Sequence, residues 1–307
     1  MNHHPLAKFW NLIHSIVLEF WAITEPSIED AALKNDIPIE LYYYSELGLD
    51  FFSIEEFQNR DPFSNPEQFE KMFARFEVKG WIFPAPDEGY QVSRKAKEAV
   101  RMIIQAGDAQ LAGFKSIPDR ELMQIVKFLG QIVTSMFGAP EPPEKWAILK
   151  RFRVANGESP LVVQIREACM DLFAFRDDSH LSAAYPHFGQ AGIVWNVLGS
   201  ISSGRAVNAA KMVESMAFRG YEAEDYEVAI QAAMEIGWVE PDDVPDAFRP
   251  TKKGAELRDQ VEQLTDDYFY RPWAVLTKEE TDALYDLLLK LQENLIPYRK
   301  SLAGDSH

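Results

Sequence analysis

The side chains of this 307-residue chain whose types and spacing suit chemistry are, first, cations that follow two proline- and acid-rich turns. Arg94, Lys95 and Lys97 follow the first turn, and Arg249, Lys252 and Lys253 the second. Clusters of this kind suit phosphate oxygens, which position a protein on a duplex without reporting its sequence. Upstream of the first turn, Gln68, Lys71 and Arg75 are types that reach base edges or phosphates. A third basic patch, Lys145, Lys150, Arg151 and Arg153, lies beside Trp146. The plain alternative is that these groups are solvated helix faces, stabilised by Glu at i, i+4 spacing.

Other constellations are weaker. Asp177, Asp178, His180 and His187 are ligand types for zinc or manganese, but their spacing matches no standard motif, and Pro186 is expected to interrupt the helix that would hold them. Helix capping by Asp178 or Ser179 is the simpler reading. The stretch from Gly199 to Arg205 lacks the Lys and the preceding strand of a phosphate loop, so it reads as a turn. The single Cys169 excludes an internal disulfide framework. No nucleophile–base or acid pair has recognisable spacing, so no catalytic residue, metal or cofactor is assigned and the chain does not read as an enzyme. Among the aromatics, Tyr43, Trp195 and Trp273 are candidates for a pocket that takes a flat apolar ligand between the two halves; filling the core is the alternative.

The elements that must position these groups occur twice, about 158 residues apart. Phe69 to Ile82 and Tyr226 to Val239 each read as an amphipathic helix stopped by Gly80-Trp81 or Gly237-Trp238. A hairpin follows each stop, over Phe83–Val92 and Glu240–Pro250, and then Ser93 or Thr251 as the N-cap of the next helix. Ser53 with Glu56, and Thr277 with Glu280, are spaced as capping boxes. Further on, Ile125, Leu129 and Ile132 align with Leu284, Leu288 and Leu291, one apolar helix face in each copy. The opening helix is expected over Phe9 to Thr24, followed by a polar connector containing Pro26 and Pro38. The fold expected is mainly α: two winged-helix domains with small β-hairpin wings related by an internal repeat, plus long helical arms. Gly138 to Pro143 is the linker candidate, placing one repeat with its arm in residues 1–140 and the other in 141–307.

Charge works against a nucleic-acid role. There are 48 acidic residues against 31 basic ones, a formal net charge of -17, so long-range attraction to DNA is absent and binding would need a local basic face. The helix from Ala223 to Ile236 carries Glu224, Asp225, Glu227 and Glu235, and the hairpin tips carry Asp87 and Glu88, or Asp242, Asp243 and Asp246. The composition, 47% hydrophobic and 26% charged, is that of a folded globular chain. Phe9 to Ile23 includes His14, Ser15 and Glu19 and reads as a buried helix rather than a membrane span or signal peptide, which suggests a cytoplasmic location.

The run Phe248 to Leu257, a long helix, and then Leu276 to Leu291 resemble the C-terminal half of MarR-type winged-helix regulators. Asp178 through Trp273 also resembles an actinobacterial helix-turn-helix family of unassigned function. The resemblance implies a single-chain pseudo-dimeric transcriptional regulator that binds double-stranded DNA through paired helices and wings and responds to a small aromatic ligand. The alternative is a winged-helix scaffold with no DNA role, binding a protein partner or a small apolar ligand.

Overall fold

The structure is a computed structural model that describes residues 4–43, 50–86, 89–189 and 191–304. The side chain of Tyr43, and the hairpin-tip residues Asp87 and Glu88, lie outside the described set. In chain order the first half runs α1 (Ala7–Lys34), α2 (Glu40–Tyr43), β1 (Phe51–Phe52), α3 (Ile54–Arg60), α4 (Pro66–Val78), β2 (Ile82–Ala85), β3 (Gly89–Val92), α5 (Arg94–Ala112) and α6 (Asp119–Gly138). Next come α7 (Trp146–Lys150), α8 (Leu161–Phe188), α9 (Gly192–Ser202), α10 (Ala209–Ser215), a 3-10 turn (Ala217–Arg219) and α11 (Ala223–Glu235). The chain closes with β4 (Val239–Pro241), β5 (Phe248–Pro250), α12 (Lys252–Tyr270), a second 3-10 turn (Arg271–Val275) and α13 (Lys278–Gly304).

The protein is predominantly helical, with two small antiparallel sheets in two similarly built regions. The similarity is visible in hydrogen bonds. At the end of α4 the Trp81 amide donates to Phe76 O at 2.9 Å and the Gly80 amide to Glu77 O at 2.9 Å. At the end of α11 the Trp238 amide donates to Ala233 O at 2.8 Å and the Gly237 amide to Met234 O at 2.9 Å. Both glycines are left-handed, with φ of 68° and 75°, as this type of helix stop requires. Ser93 Oγ then accepts from the Ala96 amide at 3.1 Å, and Thr251 Oγ1 from the Gly254 amide at 3.0 Å. The sheets differ slightly. The first is three-stranded in the order β1-β3-β2, whereas β4 and β5 pair alone and Val207 O accepts from the Phe248 amide where a third strand would stand.

Packing divides the chain into two compact units. One, the winged-helix unit, comprises the described parts of 51–91 and 180–265; the other, the helical unit, comprises those of 2–50, 92–179 and 266–307. Each draws on both sides of residue 140, so compactness does not follow a cut at 140/141. The physical reason is burial around the proline cluster: Met136 before it and Ala147 and Ile148 after it join one core with Phe9, Ile13, Leu172, Trp273 and Leu288. The paired apolar faces foreseen on α6 and α13 lie in this core, with Ile125, Leu129, Ile132, Leu284, Leu288 and Leu291 all fully buried.

Two helices are longer than expected. α1 continues through Pro26 to Lys34, because Ile28 and Ala32 are buried, and Ile28 packs where α5 has only the hydrogen of Gly107. Any Cβ on Gly107 would lie 2.9 Å from Ile28 Cγ1 and 3.0 Å from Thr24 Cβ, so the glycine permits this close crossing. Tertiary burial thus outweighs the local preference of proline to end a helix. Likewise α8 runs to Phe188 with Pro186 in its last turn rather than stopping ahead of it.

Candidate ligand cavity and the winged-helix surface

The helical unit contains a partly open cavity of about 390 Å³, within the range of small-molecule sites. Trp21 and Glu25 come from α1, Tyr42 from α2, Ile104 from α5, and Arg151, Phe152 and Val154 from the extended segment after α7. Arg166, Glu167 and Met170 come from α8, where the i, i+4 spacing of Arg166 and Met170 turns both to one face. The wall is mostly aromatic and aliphatic. Of its charged members, Arg151, Arg166 and Glu167 form a buried network, and Glu25 is half-buried.

Arg151 is the hub. Its Nε donates to Asp171 Oδ1 at 2.8 Å, and its Nη2 pairs with the Glu167 carboxylate and donates to Glu167 O at 3.2 Å. Arg153 Nη2 lies 2.7 Å from the same Asp171 oxygen and 2.6 Å from Ile148 O. Arg166 Nη2 bridges Asp108 Oδ1 at 2.9 Å and Glu167 Oε2 at 3.1 Å. Arg151, Arg166, Glu167 and Asp171 are each at most 8% exposed, so desolvation is severe and the pairing must offset it. For Arg151 burial works against the charge, yet the Glu167 and Asp171 carboxylates more than compensate and raise its pKa above the ordinary arginine value. At Asp108 burial wins: it pushes the carboxyl above its usual range despite the neighbouring Arg166. Burial also raises the Tyr42 phenol and pushes the Cys169 thiol up to about 12, which leaves Cys169 a neutral, unreactive core group.

The winged-helix unit places most of the remaining sequence candidates. Gln68 on α4 is half-buried, and its Nε2 donates to Phe218 O at 2.8 Å, in the 3-10 turn of the second copy. The same end of α4 is held by Asn65, whose amide donates to Arg219 O at 2.8 Å and whose Nδ2 donates to Gly220 O at 3.1 Å, and by an Asp61–Arg219 ion pair at 3.0 Å. Lys71 is exposed but paired with Glu67 at 3.3 Å, and Arg75 is exposed on the same helix. Arg249 pairs across the hairpin with Glu240 at 3.0 Å, Lys252 with Glu256 at 3.7 Å, and Lys253 caps α11 through Ile236 O at 2.6 Å. In the helical unit Arg94 pairs with Glu98 at 2.7 Å, Lys97 pairs with Asp50, and Lys95 is exposed.

The third basic patch is resolved differently: Arg151 turns inward to Glu167 and Asp171, Arg153 pairs with Asp171, and Lys145 reaches the end of α6 at Met136 O and Ala139 O. Asp178 does cap a helix, but through space: its carboxylate accepts the first-turn amides of α7, from Ala147 at 2.7 Å and Ile148 at 3.0 Å. Among the described residues no group of three or more His, Cys, Asp or Glu could hold a metal ion.

Trp195 and Trp273 belong to different units, and neither lines the cavity. Trp195 fills the winged-helix core, edge-on to Trp238 at 5.9 Å with Arg258 over its ring at 5.1 Å. Trp273 packs among Phe9, Phe269 and Tyr270. Trp21 and Tyr42 line the cavity instead. What sequence reasoning missed was the polar part of the wall. Its signal was present in α8, where Arg166, Glu167 and Asp171 interrupt the core positions Val163, Ile165, Cys169 and Leu172.

The repeated helix, turn, helix and hairpin order gives a helix-turn-helix-containing fold, consistent with a winged-helix-like architecture. Residues 165–299 match a family model described as a helix-turn-helix family, a class not associated with catalysis. No curated protein and no solved structure matches the chain. Among the described residues no helix is long and apolar enough to cross a membrane.

Proposed function

We propose that this helix-turn-helix protein binds a small, largely apolar molecule in the cavity of its helical unit. The observation that carries the reading is the cavity itself, about 390 Å³ with Trp21, Ile104, Phe152, Val154 and Met170 in its wall and with Arg151, Arg166 and Glu167 paired with one another. Such a space is ready-made for an apolar guest. The test is titration with N-phenyl-1-naphthylamine, a neutral probe that fluoresces when it leaves water. Saturable one-to-one binding is expected, weakened at least about tenfold, or about 1.4 kcal/mol, by Met170→Trp, which fills the space. Unchanged affinity in a folded Met170→Trp variant would place the probe elsewhere and remove the reading.

A second reading, a MarR-like single-chain transcriptional regulator, is favoured by the helix-turn-helix match over 165–299 and by the two similarly built winged-helix regions. Against it stand the commitment of Gln68 to Phe218 O, the pairing of Lys71, Arg94, Lys97, Arg249 and Lys252 with carboxylates, and the acidic exposed face of α11, with Glu224, Glu227 and Glu235. Selection from a random double-stranded DNA pool at about 50 mM and about 150 mM salt separates the two readings, because phosphate-driven binding falls steeply across that interval. No enriched motif is expected at either salt. One motif recovered at the higher salt would establish the regulator.

A further inference from the structure

The charges around the cavity do not cancel. Arg151, Arg153 and Arg166 form a connected set with three carboxylates: Glu167 lies against Arg151 and Arg166, Asp171 against Arg151 and Arg153, and Asp108 against Arg166. Glu25, from α1, is a fourth carboxylate, and it lines the cavity. Three arginines therefore stand against four carboxylates. Arg101 approaches the ring of Phe152 to 5.8 Å, but it is exposed and outside the lining, so water and salt screen its charge. An anionic guest would meet the surplus negative charge, or would have to take an arginine from a buried carboxylate, the costly outcome in such networks. A neutral guest leaves the surplus as it is, and a cation offsets it.

The placement of Glu25 gives the second constraint. Trp21 and Glu25 are four residues apart on α1, so one helix face presents an indole and a carboxylate side by side to the cavity. Tyr42 and Phe152 stand in the same wall. Aromatic rings attract an organic cation through their negative faces, more strongly where water is sparse, and a carboxylate beside them supplies the counter-charge. Glu25 is half-buried and the cavity partly open, so a cation at that point keeps part of its hydration and the cost of desolvation is moderate. Ile104 and Met170 leave apolar wall for the rest of the guest.

We propose that the ligand is an organic monocation, an amine or quaternary ammonium carried on a flat apolar body, with its charge held by Glu25 beside Trp21. This rests on the reading of the cavity as a small-molecule site and assigns that site its chemical class. The apolar body uses the wall that a neutral probe would fill, and the charge offsets the excess of carboxylates over arginines.

Equilibrium dialysis at neutral pH and about 150 mM salt, where charge outside the site is largely screened, tests it with four probes on one ring system: 2-naphthylmethylammonium, naphthalene-2-carboxamide, 2-naphthoate and 2-methylnaphthalene. The ammonium probe is expected to bind at least about tenfold more tightly than the carboxamide or the hydrocarbon, and the naphthoate most weakly. Glu25→Gln keeps the side-chain size and should reduce the affinity of the ammonium probe at least about tenfold while leaving that of the hydrocarbon unchanged. Glu224→Gln, the same change on the exposed face of α11, should alter neither, which separates the site from the net charge of -17. An ammonium probe that binds no more tightly than the carboxamide or the naphthoate overturns the cationic class. Unchanged affinity in a folded Glu25→Gln variant, or an equal loss in both glutamine variants, overturns the assignment to Glu25. The wild-type comparison decides the class whether or not Glu25→Gln folds. Binding of the hydrocarbon without preference for the ammonium probe leaves the cavity reading standing while this inference fails; silence from all four probes and from N-phenyl-1-naphthylamine overturns both.

Discussion

Arg151→Met is expected to lower the unfolding free energy by about 3 kcal/mol, the lower end of the range for removing one partner of a buried ion pair. The substitution preserves much of the side-chain volume, so the loss is electrostatic rather than a cavity effect. It strips Glu167 and Asp171 of the guanidinium that joins them, although Arg166 remains 3.1 Å from Glu167 and Arg153 2.7 Å from Asp171. Those residual contacts are why the upper end of the range, about 5 kcal/mol, is not expected. Urea unfolding measures the change through the shift in midpoint at constant slope. Adding Glu167→Gln alone to Arg151→Met should recover part of the loss, since the neutral amide does not require a counter-charge and Arg166 keeps Asp108 at 2.9 Å. A loss under about 1 kcal/mol for Arg151→Met would mean that the network is hydrated.

Gly192→Ala in the winged-helix unit is expected to destabilise by about 2–3 kcal/mol, from overpacking against backbone. An added Cβ would lie 1.9 Å from Pro62 O and 2.6 Å from Pro62 C, and backbone cannot rotate away as a side chain can. The Pro62 segment is also pinned, by Asp61 and Asn65 to Arg219 and Gly220 and by Phe63 against the ring of Phe188 at 5.7 Å. Relief therefore requires the start of α4 to separate from the second copy's helices. Gly204→Ala is the control: Gly204 has φ of 69° with nothing within 4 Å of a new Cβ, so only the left-handed conformation is penalised, at about 1–2 kcal/mol. Thermal unfolding of the two variants side by side should rank Gly192→Ala as the larger loss. Equal losses would show that the approach of α9 to Pro62 yields without resistance.

The helix stops at Gly80-Trp81 and Gly237-Trp238, the caps at Ser53, Ser93, Thr251 and Thr277, and the buried faces of α6 and α13 were all legible in the chain. They could be read because each bond closes within about five residues, so residue type and spacing carry the whole cause. The repeat was readable for the same reason, since two copies of a local pattern can be aligned without knowing where either lies.

The candidate site was not readable in that way. Arg151 and Arg153 look like a basic edge beside Trp146 until Glu167 and Asp171, 16 to 20 residues on, turn them inward. That Gln68 donates its side-chain amide to Phe218 O, 150 residues away, was equally out of reach of the sequence. Asp178 looks like a cap for its own helix, and caps α7 instead, 30 and 31 residues back. The sequence by itself determined the class of fold and the ends of its elements, because short-range hydrogen bonds and helical periodicity decide those. Only the tertiary structure decided which charges are buried together, which proline a helix can absorb and where an empty space remains, because each depends on burial summed over segments that are distant in the chain.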